Sequence, residues 1–291
     1  MTSTTSAAGS PATTALATTA PSTTSQTGES DSPVQIADGV LTITVSTAAA
    51  GTSLADDALT LGAARLREVA RGELEVGAVL LVGAGANFCA GGNVRAFAAA
   101  EHRPTYVRGL ADNFHTMVTA LYEADRPVVA AVKGWAAGAG MSLVLHADVA
   151  IGGTSTRLRP AYRGIGLTPD GGLTWTLPRA VGAARARHII LTDRVISATE
   201  ALDWGILSEL VADDEVDTAA RAAAATIAAG PWHADRGARR LLSASPERSL
   251  IEQLALEAES IALRSGSPEG REGVDAFVGK RAADWATGRN A

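Results

Sequence analysis

The sequence predicts an α/β protein with a parallel sheet in its first two-thirds and helices in its last third. Three observations carry this reading. Apolar runs of strand length alternate with stretches of helical spacing, two of the runs are valine- and leucine-rich with no polar alternation, and beyond Pro178 the spacing is nearly all helical. In chain order, Val40-Leu41-Thr42-Ile43-Thr44-Val45 alternates apolar residues with threonine, the period of two expected of a strand. Leu54 to Arg71 spaces Leu59, Leu61, Ala64, Leu66 and Val69 roughly as a helix does. Val76 to Val82 is continuously apolar, as suits a strand buried on both faces, and it ends in the loop Gly83-Ala84-Gly85-Ala86-Asn87. A helix is expected over Thr105 to Ala124, after which Pro127 opens a second buried strand, Val128 to Val132, closed by Lys133-Gly134. A small-residue helix starts at Gly138, and Val149-Ala150-Ile151 reads as a third strand; this succession is the rhythm of parallel βαβ units. Asp217 to Ala229 is an alanine-rich helix stopped by Gly230-Pro231, and Ser249 to Arg264 and Glu269 to Arg281 read as amphipathic helices.

Composition narrows the function classes. Residues 1–33 form a Thr/Ser/Ala/Pro tract with almost no large apolar side chain, so burial there cannot offset the entropy of ordering, and a solvated tail is expected. The first basic residue is Arg65, so the tract lacks the early positive charge and the apolar stretch of a targeting peptide. No run approaches the roughly 18–20 apolar residues that a membrane span needs. The net charge of −6, from 25 basic and 31 acidic side chains, weighs against a nucleic-acid partner. Cys89 is the single cysteine, which excludes an intrachain disulfide and a cysteine-cluster zinc site and fits a reducing cytoplasm. His102, His115, His146, His188 and His233 have no metal-ligand spacing, so no metal is expected.

Two glycine-rich turns follow the two buried strands: Asn87-Phe88-Cys89-Ala90-Gly91-Gly92-Asn93 and Gly134-Trp135-Ala136-Ala137-Gly138-Ala139-Gly140. Neither is a phosphate loop, since there is no GKS/T and no GxGxxG opening a helix. Either one alone could be a tight turn in which glycine relieves strain. As a pair, placed after parallel strands and at a helix start, they leave backbone N–H groups facing a crevice with no side chain in the way. That geometry suits a developing oxyanion, at the place where open α/β sheets bind ligands.

Val79 to Gly85 leading into Phe88 to Asn93, Pro127 to Gly140, Gly164 to Gly172 with Leu177 to Gly182, and Arg271 to Arg281 follow one another along the chain. In that order they resemble the signatures of the crotonase (enoyl-CoA hydratase/isomerase) superfamily over roughly residues 34–285, and the motifs are most similar to those of the phenylacetate-pathway enoyl-CoA isomerases. The resemblance implies a crotonase-like spiral of ββα units over 34–215 and a helical C-terminal trimerisation region over 216–291. The expected assembly is a homo-oligomer, a trimer or a dimer of trimers. It further implies an acyl-CoA thioester as substrate, with coenzyme A entering as part of that substrate and no other cofactor. Ala90 and Ala139 take the two oxyanion-hole positions. Phe88, Ala90, Gly91, Gly92, Asn93, Val94 and Gly138 are expected to line the thioester site, and Lys280 resembles a family lysine that meets the coenzyme A phosphates. Ser46 to Ser53 replaces the family's usual Asn-Arg-Pro segment, so the ribose-phosphate contacts of that segment do not carry over.

Hydratases of the family resemble one another in two glutamates, and the matching positions here are Ser142 and Tyr162. Neither residue is an obvious base at neutral pH, since tyrosine ordinarily loses its proton near pH 10. A carboxylate does stand eight residues on, at Asp170, which read alone is a turn residue in Pro-Asp-Gly. In the phenylacetate-pathway isomerases and 4-chlorobenzoyl-CoA dehalogenase, the Asp at this position is the base or the nucleophile. The resemblance therefore implies Asp170 as general base, shifting a proton from one carbon to another two along, with Tyr162 as a hydrogen-bond partner or a packing aromatic. Ser142 is expected to be a helix residue and Cys89 a small packed one. The alternatives are a hydratase with a rearranged water site, a dehalogenase or hydrolase, and a non-catalytic acyl-CoA- or RNA-binding relative.

Overall fold

The computed structural model describes residues 32–48 and 52–286, so the expected tail over 1–33 lies almost wholly outside the described residues. Strand β1 (Val34–Ala37) turns through Asp38-Gly39 into β2 (Val40–Ser46). Both turn residues have positive φ, 49° and 73°, the requirement of a two-residue hairpin whose twist matches its strands. From β2 the sheet runs parallel through β3 (Ala78–Gly83), β4 (Val128–Val132), β6 (Val149–Gly153) and β9 (Glu209–Val211), in the order β1-β2-β3-β4-β6-β9. Every residue of β3 and β4 is buried, as their unbroken apolar sequence requires. Strand β3 begins two residues later than expected because Val76 and Gly77 have other partners. The Val76 carbonyl accepts from Arg126 Nε at 2.6 Å, and the Gly77 N–H donates to Gly39 O.

Alternation along the strands sorts the core into two layers. Leu41, Ile43, Val79, Leu81, Val128 and Ala130 face α1 (Asp56–Ala70) and α3 (Arg103–Ala124), whose Leu59, Leu66, Met117 and Leu121 join the same cluster. Val40, Ala78, Leu80, Val129 and Ala131 point the other way, onto Val216, Ala220, Ala224 and Ala228 of α8 (Val216–Ala229). Alanine every fourth residue gives α8 a smooth stripe that lies flat on the sheet. Helix α8 therefore completes the α/β layers, although it falls in the segment read from the sequence as the C-terminal helical region.

Shorter elements fill the crossovers. Helix α2 (Val94–Ala99) follows the first glycine turn, and β5 (Trp135–Ala137) and α4 (Ala139–Val144) follow the second. Strand β5 pairs with β7 (Arg157–Arg159), and β7 with β8 (Ile196–Ser197), making a second, three-stranded sheet. Helices α5 (Leu173–Val181), α6 (Ala183–Thr192) and α7 (Ala198–Asp203) occupy the stretch before β9. The chain closes with α9 (Trp232–Ala244), α10 (Leu250–Ser265) and α11 (Pro268–Val278); Ser249 and Glu252 form a reciprocal cap at the start of α10. Among the described residues no helix is long and apolar enough to cross a membrane.

Candidate active site

The two glycine turns lie side by side. Phe88 N–H donates to Lys133 O at 2.7 Å, Cys89 N–H to Trp135 O at 3.1 Å and Ala137 N–H to Cys89 O at 2.9 Å, a short parallel ladder from one turn to the other. A Cβ on Gly91 would come within 3.1 Å of Ala137 O and 3.6 Å of Gly138 Cα, and Gly91 and Gly138 have φ of 94° and 56°. Glycine at both places is what lets the backbones meet.

The donors on these turns are not equivalent. Ala139 is the first residue of α4, where an N–H has no intrahelical acceptor, and its N–H meets no other acceptor among the described residues. Ala90, by contrast, donates its N–H to Thr52 O at 2.8 Å, while Leu54 N–H donates to Gly91 O at 2.8 Å. The segment 52–54 thus straps the first turn and occupies the donor that the sequence reading assigned to the thioester oxygen. Gly91 N–H faces Cys89 Sγ at 3.4 Å, which leaves Gly92 as the next donor on the turn with no acceptor among the described residues. Sequence reading placed Gly92 in the site but not in this role, because the occupancy of Ala90 depends on a segment 38 residues away. Phe88 is a second correction. It is fully buried, its carbonyl accepts from Ser46 Oγ at 2.6 Å, and it does not line the cavity. Cys89 is packed as expected, and burial pushes its thiol up to about 11.

A carboxylate lines the same cavity as these donors. Tyr162 Oη donates to Asp170 Oδ1 at 2.6 Å. Burial, reinforced by the adjacent Asp170 charge, pushes the Tyr162 hydroxyl well above the usual tyrosine range, so it keeps its proton and donates. Ser142, fully buried on α4, sends its Oγ–H to the Asp170 carbonyl at 3.0 Å. Tyr162 and Ser142 therefore both hold Asp170, one by its side chain and one by its backbone.

The turn after Asp170 is held on both sides. Gly171 and Gly172 have φ of 60° and 81°, and a Cβ on Gly171 would collide with the Phe114 ring. Gly171 N–H donates to His115 Nε2 at 3.1 Å, and Gly171 O lies 2.8 Å from His146 Nε2. A carbonyl only accepts, so His146 carries its proton on Nε2, and its Nδ1 accepts from Tyr122 Oη at 3.2 Å. Burial holds His146 below the usual histidine range, so it is neutral. In the sequence these histidines show neither metal-ligand spacing nor a pairing with a nucleophile. Among the described residues no cluster could hold a metal ion. The available signal was the spacing of His115 and Tyr122, seven residues apart on α3 and so on one helix face.

Gly92, Gly138, Ala139, Tyr162 and Asp170 border one cavity of about 710 Å³, together with Ala90, Gly91, Asn93 and Val94. Its other walls are largely apolar, with Phe97, Val107, Leu110, Phe114 and Leu167 among them. Asn93 lines it while its side chain caps α2, accepting from Ala96 N–H at 3.2 Å. Lys280 lies past the end of α11, with φ of 53°, and is not part of the cavity wall.

Residues 35–288 match the family model described as enoyl-CoA hydratase/isomerase. A Rhodobacter capsulatus protein named "Probable enoyl-CoA hydratase" is 40% identical over 220 residues, covering 76% of this chain and 84% of that one. The 1,2-epoxyphenylacetyl-CoA isomerase of Escherichia coli is 32% identical over 249 residues, covering 85% and 95%. Among solved structures, an enoyl-CoA hydratase from Bacillus anthracis superposes with a TM-score of 0.79 at 28% identity, over 87% of this chain and 98% of the other. With its crotonase fold, its paired glycine turns and these relatives, the chain is an enzyme that belongs to the enoyl-CoA hydratase/isomerase family.

Proposed function

We propose that this enzyme moves a double bond in an acyl-CoA thioester, with the N–H groups of Gly92 and Ala139 holding the thioester oxygen and Asp170 as the only base. The observation that carries this is the placement of Asp170 on the wall of the cavity that both open donors border, with one of its oxygens already occupied by Tyr162. In the reaction, an Asp170 oxygen takes a proton from the carbon next to the thioester carbonyl. The electron pair spreads into the carbonyl as an enolate, whose oxygen the two N–H groups stabilise. The same carboxyl, now protonated, returns the proton two carbons along, and the double bond moves into conjugation. No water is consumed, which suits a site where Ser142 and Tyr162 stand in place of two carboxylates. Tyr162 does not act as a base, since its proton is held by burial and by Asp170.

Coenzyme A enters as part of the substrate, and no other cofactor takes part. Leu250, Ile251, Ile261 and Phe277 on α10 and α11 are each more than 70% exposed, so we propose that copies of the chain cover one another there, as a trimer or a dimer of trimers. Lys280, beside that surface, is proposed to meet the coenzyme A phosphates from within such an assembly. A cytoplasmic enzyme is the setting that fits.

Hydration is the second reading. It is favoured by the name of the Rhodobacter capsulatus relative, and Asp170 would then activate water. The test of Asp170 is its amide. Asp170→Asn keeps the shape but cannot accept the proton, and kcat should fall by about 10³-fold or more, with KM little changed. Near-full activity in that variant would remove Asp170 from the chemistry.

A further inference from the structure

We infer that His115 is a positioning residue, the outer half of a two-histidine clamp on the Gly171 peptide that sets where the Asp170 carboxylate points. The inference rests on the reading of Asp170 as the base and extends it to a residue outside the cavity wall. Asp170 is followed by two glycines in left-handed conformation, so no side chain of the turn itself can brace it. External groups take that part. His115 Nε2 accepts from Gly171 N–H at 3.1 Å on one side, and His146 Nε2–H donates to Gly171 O at 2.8 Å on the other. Ser142 holds the preceding carbonyl, Asp170 O, at 3.0 Å.

Helix α3 grips this turn twice. His115 bonds it directly, and Tyr122, two helical turns further along the same face, fixes the tautomer of His146 from behind. Phe114, next to His115, fills the space above Gly171. The same helix lines the cavity with Val107, Leu110 and Phe114, so one rigid element sets both the apolar wall and the base. Of the clamp residues, His115 is exposed and His146 is buried, so His115 can be replaced without opening the core. Its Nε2 must accept, so the feature under test is an acceptor at that position and not the imidazole itself.

The test compares His115→Leu, which removes the acceptor, with His115→Gln, whose side-chain oxygen restores one. The first readout needs no substrate. The chain has three tyrosines, so tyrosine labelled with carbon-13 at Cζ gives three resonances, and Tyr162→Phe assigns the one that reports the bond to Asp170. His115→Leu should shift or broaden the Tyr162 signal and leave in place the signal of Tyr106, nine residues before His115 on α3, and His115→Gln should return the Tyr162 signal toward wild type. The second readout is exchange of the proton next to the thioester carbonyl in heavy water, across alkyl and aryl 3-enoyl-CoA thioesters. Here kcat should fall about 10- to 100-fold in His115→Leu, the scale of a misplaced catalytic group, with KM and melting temperature near wild type and recovery in His115→Gln. An unmoved Tyr162 resonance in His115→Leu, or a Gln variant no better than Leu, overturns the inference. If Asp170→Asn proves active while the Tyr162 resonance still follows His115, the clamp stands and only the role of Asp170 falls.

Discussion

Part of the cavity lining is peptide N–H groups and another part is a carboxylate held by side chains, and the two are secured by different means. The donor wall, Gly92 and Ala139, is set by backbone close approach: a parallel ladder from turn to turn, glycines at Gly91 and Gly138, and the start of α4. No side chain is needed there beyond being small. The acid wall depends on Tyr162, Ser142, His115 and His146 converging on residues 170–171 from different elements. A backbone wall tolerates substitution so long as the residues stay small, whereas the acid wall should fail at single side chains. A fold that keeps its donors and changes its acid wall can keep enolate stabilisation and change what is done with the enolate.

The comparison breaks most sharply at Ala139. Proline is tolerated at the first position of a helix but carries no N–H. Ala139→Pro should therefore leave circular dichroism and melting close to wild type and lower kcat about 10²- to 10³-fold, as loss of one oxyanion donor does. Unimpaired turnover would remove Ala139 from the hole. On the acid wall, Gly171→Ala forces a side chain into a left-handed position and into Phe114, at a cost of about 2–4 kcal/mol. Chemical denaturation should register that loss; a variant as stable as wild type would mean that the turn is loosely packed. Tyr162→Phe should cost less, about tenfold in kcat, because the base remains but one oxygen loses its hydrogen bond.

The same substitution makes a pH prediction. Since Tyr162 holds its proton more tightly folded than unfolded, its contribution is fully present below the unfolded tyrosine value, about 10, and is lost as pH rises above that. Alkaline destabilisation should be shallower in Tyr162→Phe; an identical slope would contradict the burial of that hydroxyl. The smallest effect is expected at Cys89. With the thiol buried and pushed up to about 11, maleimide at neutral pH should label it only after unfolding. Rapid labelling of the native protein would show that the first turn opens.

Legibility followed the same division. The buried strands β3 and β4, the helix α8 and both glycine turns are written in local composition, because continuous apolar runs, four-residue alanine spacing and clustered glycines each have one economical use. The β5-β7-β8 sheet was not legible, since strands of two or three residues are too short to display a period. The Asp38-Gly39 hairpin carried a readable signal that went unused. Within the site, Asp170, Tyr162 and Ala139 were expected through the resemblance of their motifs to the family, since Asp170 read alone is a turn residue. The occupation of the Ala90 N–H by Thr52 O, and the convergence of His115 and His146 on Gly171, arise from residues 25 to 56 positions apart along the chain. Nothing in local pattern encodes such pairs. Phe88 was misplaced for the same reason: its neighbours in sequence line the cavity, but its own side chain turns into the core.

If one base moves one proton without adding water, the product itself reports it. Wild-type enzyme should be given 3-enoyl-CoA thioesters in heavy water enriched in oxygen-18, and the products read by mass and by double-bond position. Isomerisation by one base predicts a 2-enoyl product of unchanged oxygen content, whose deuterium content is set by how far the Asp170 proton exchanges with solvent before it is returned. A product heavier by one water and bearing oxygen-18 would contradict it and make the enzyme a hydratase.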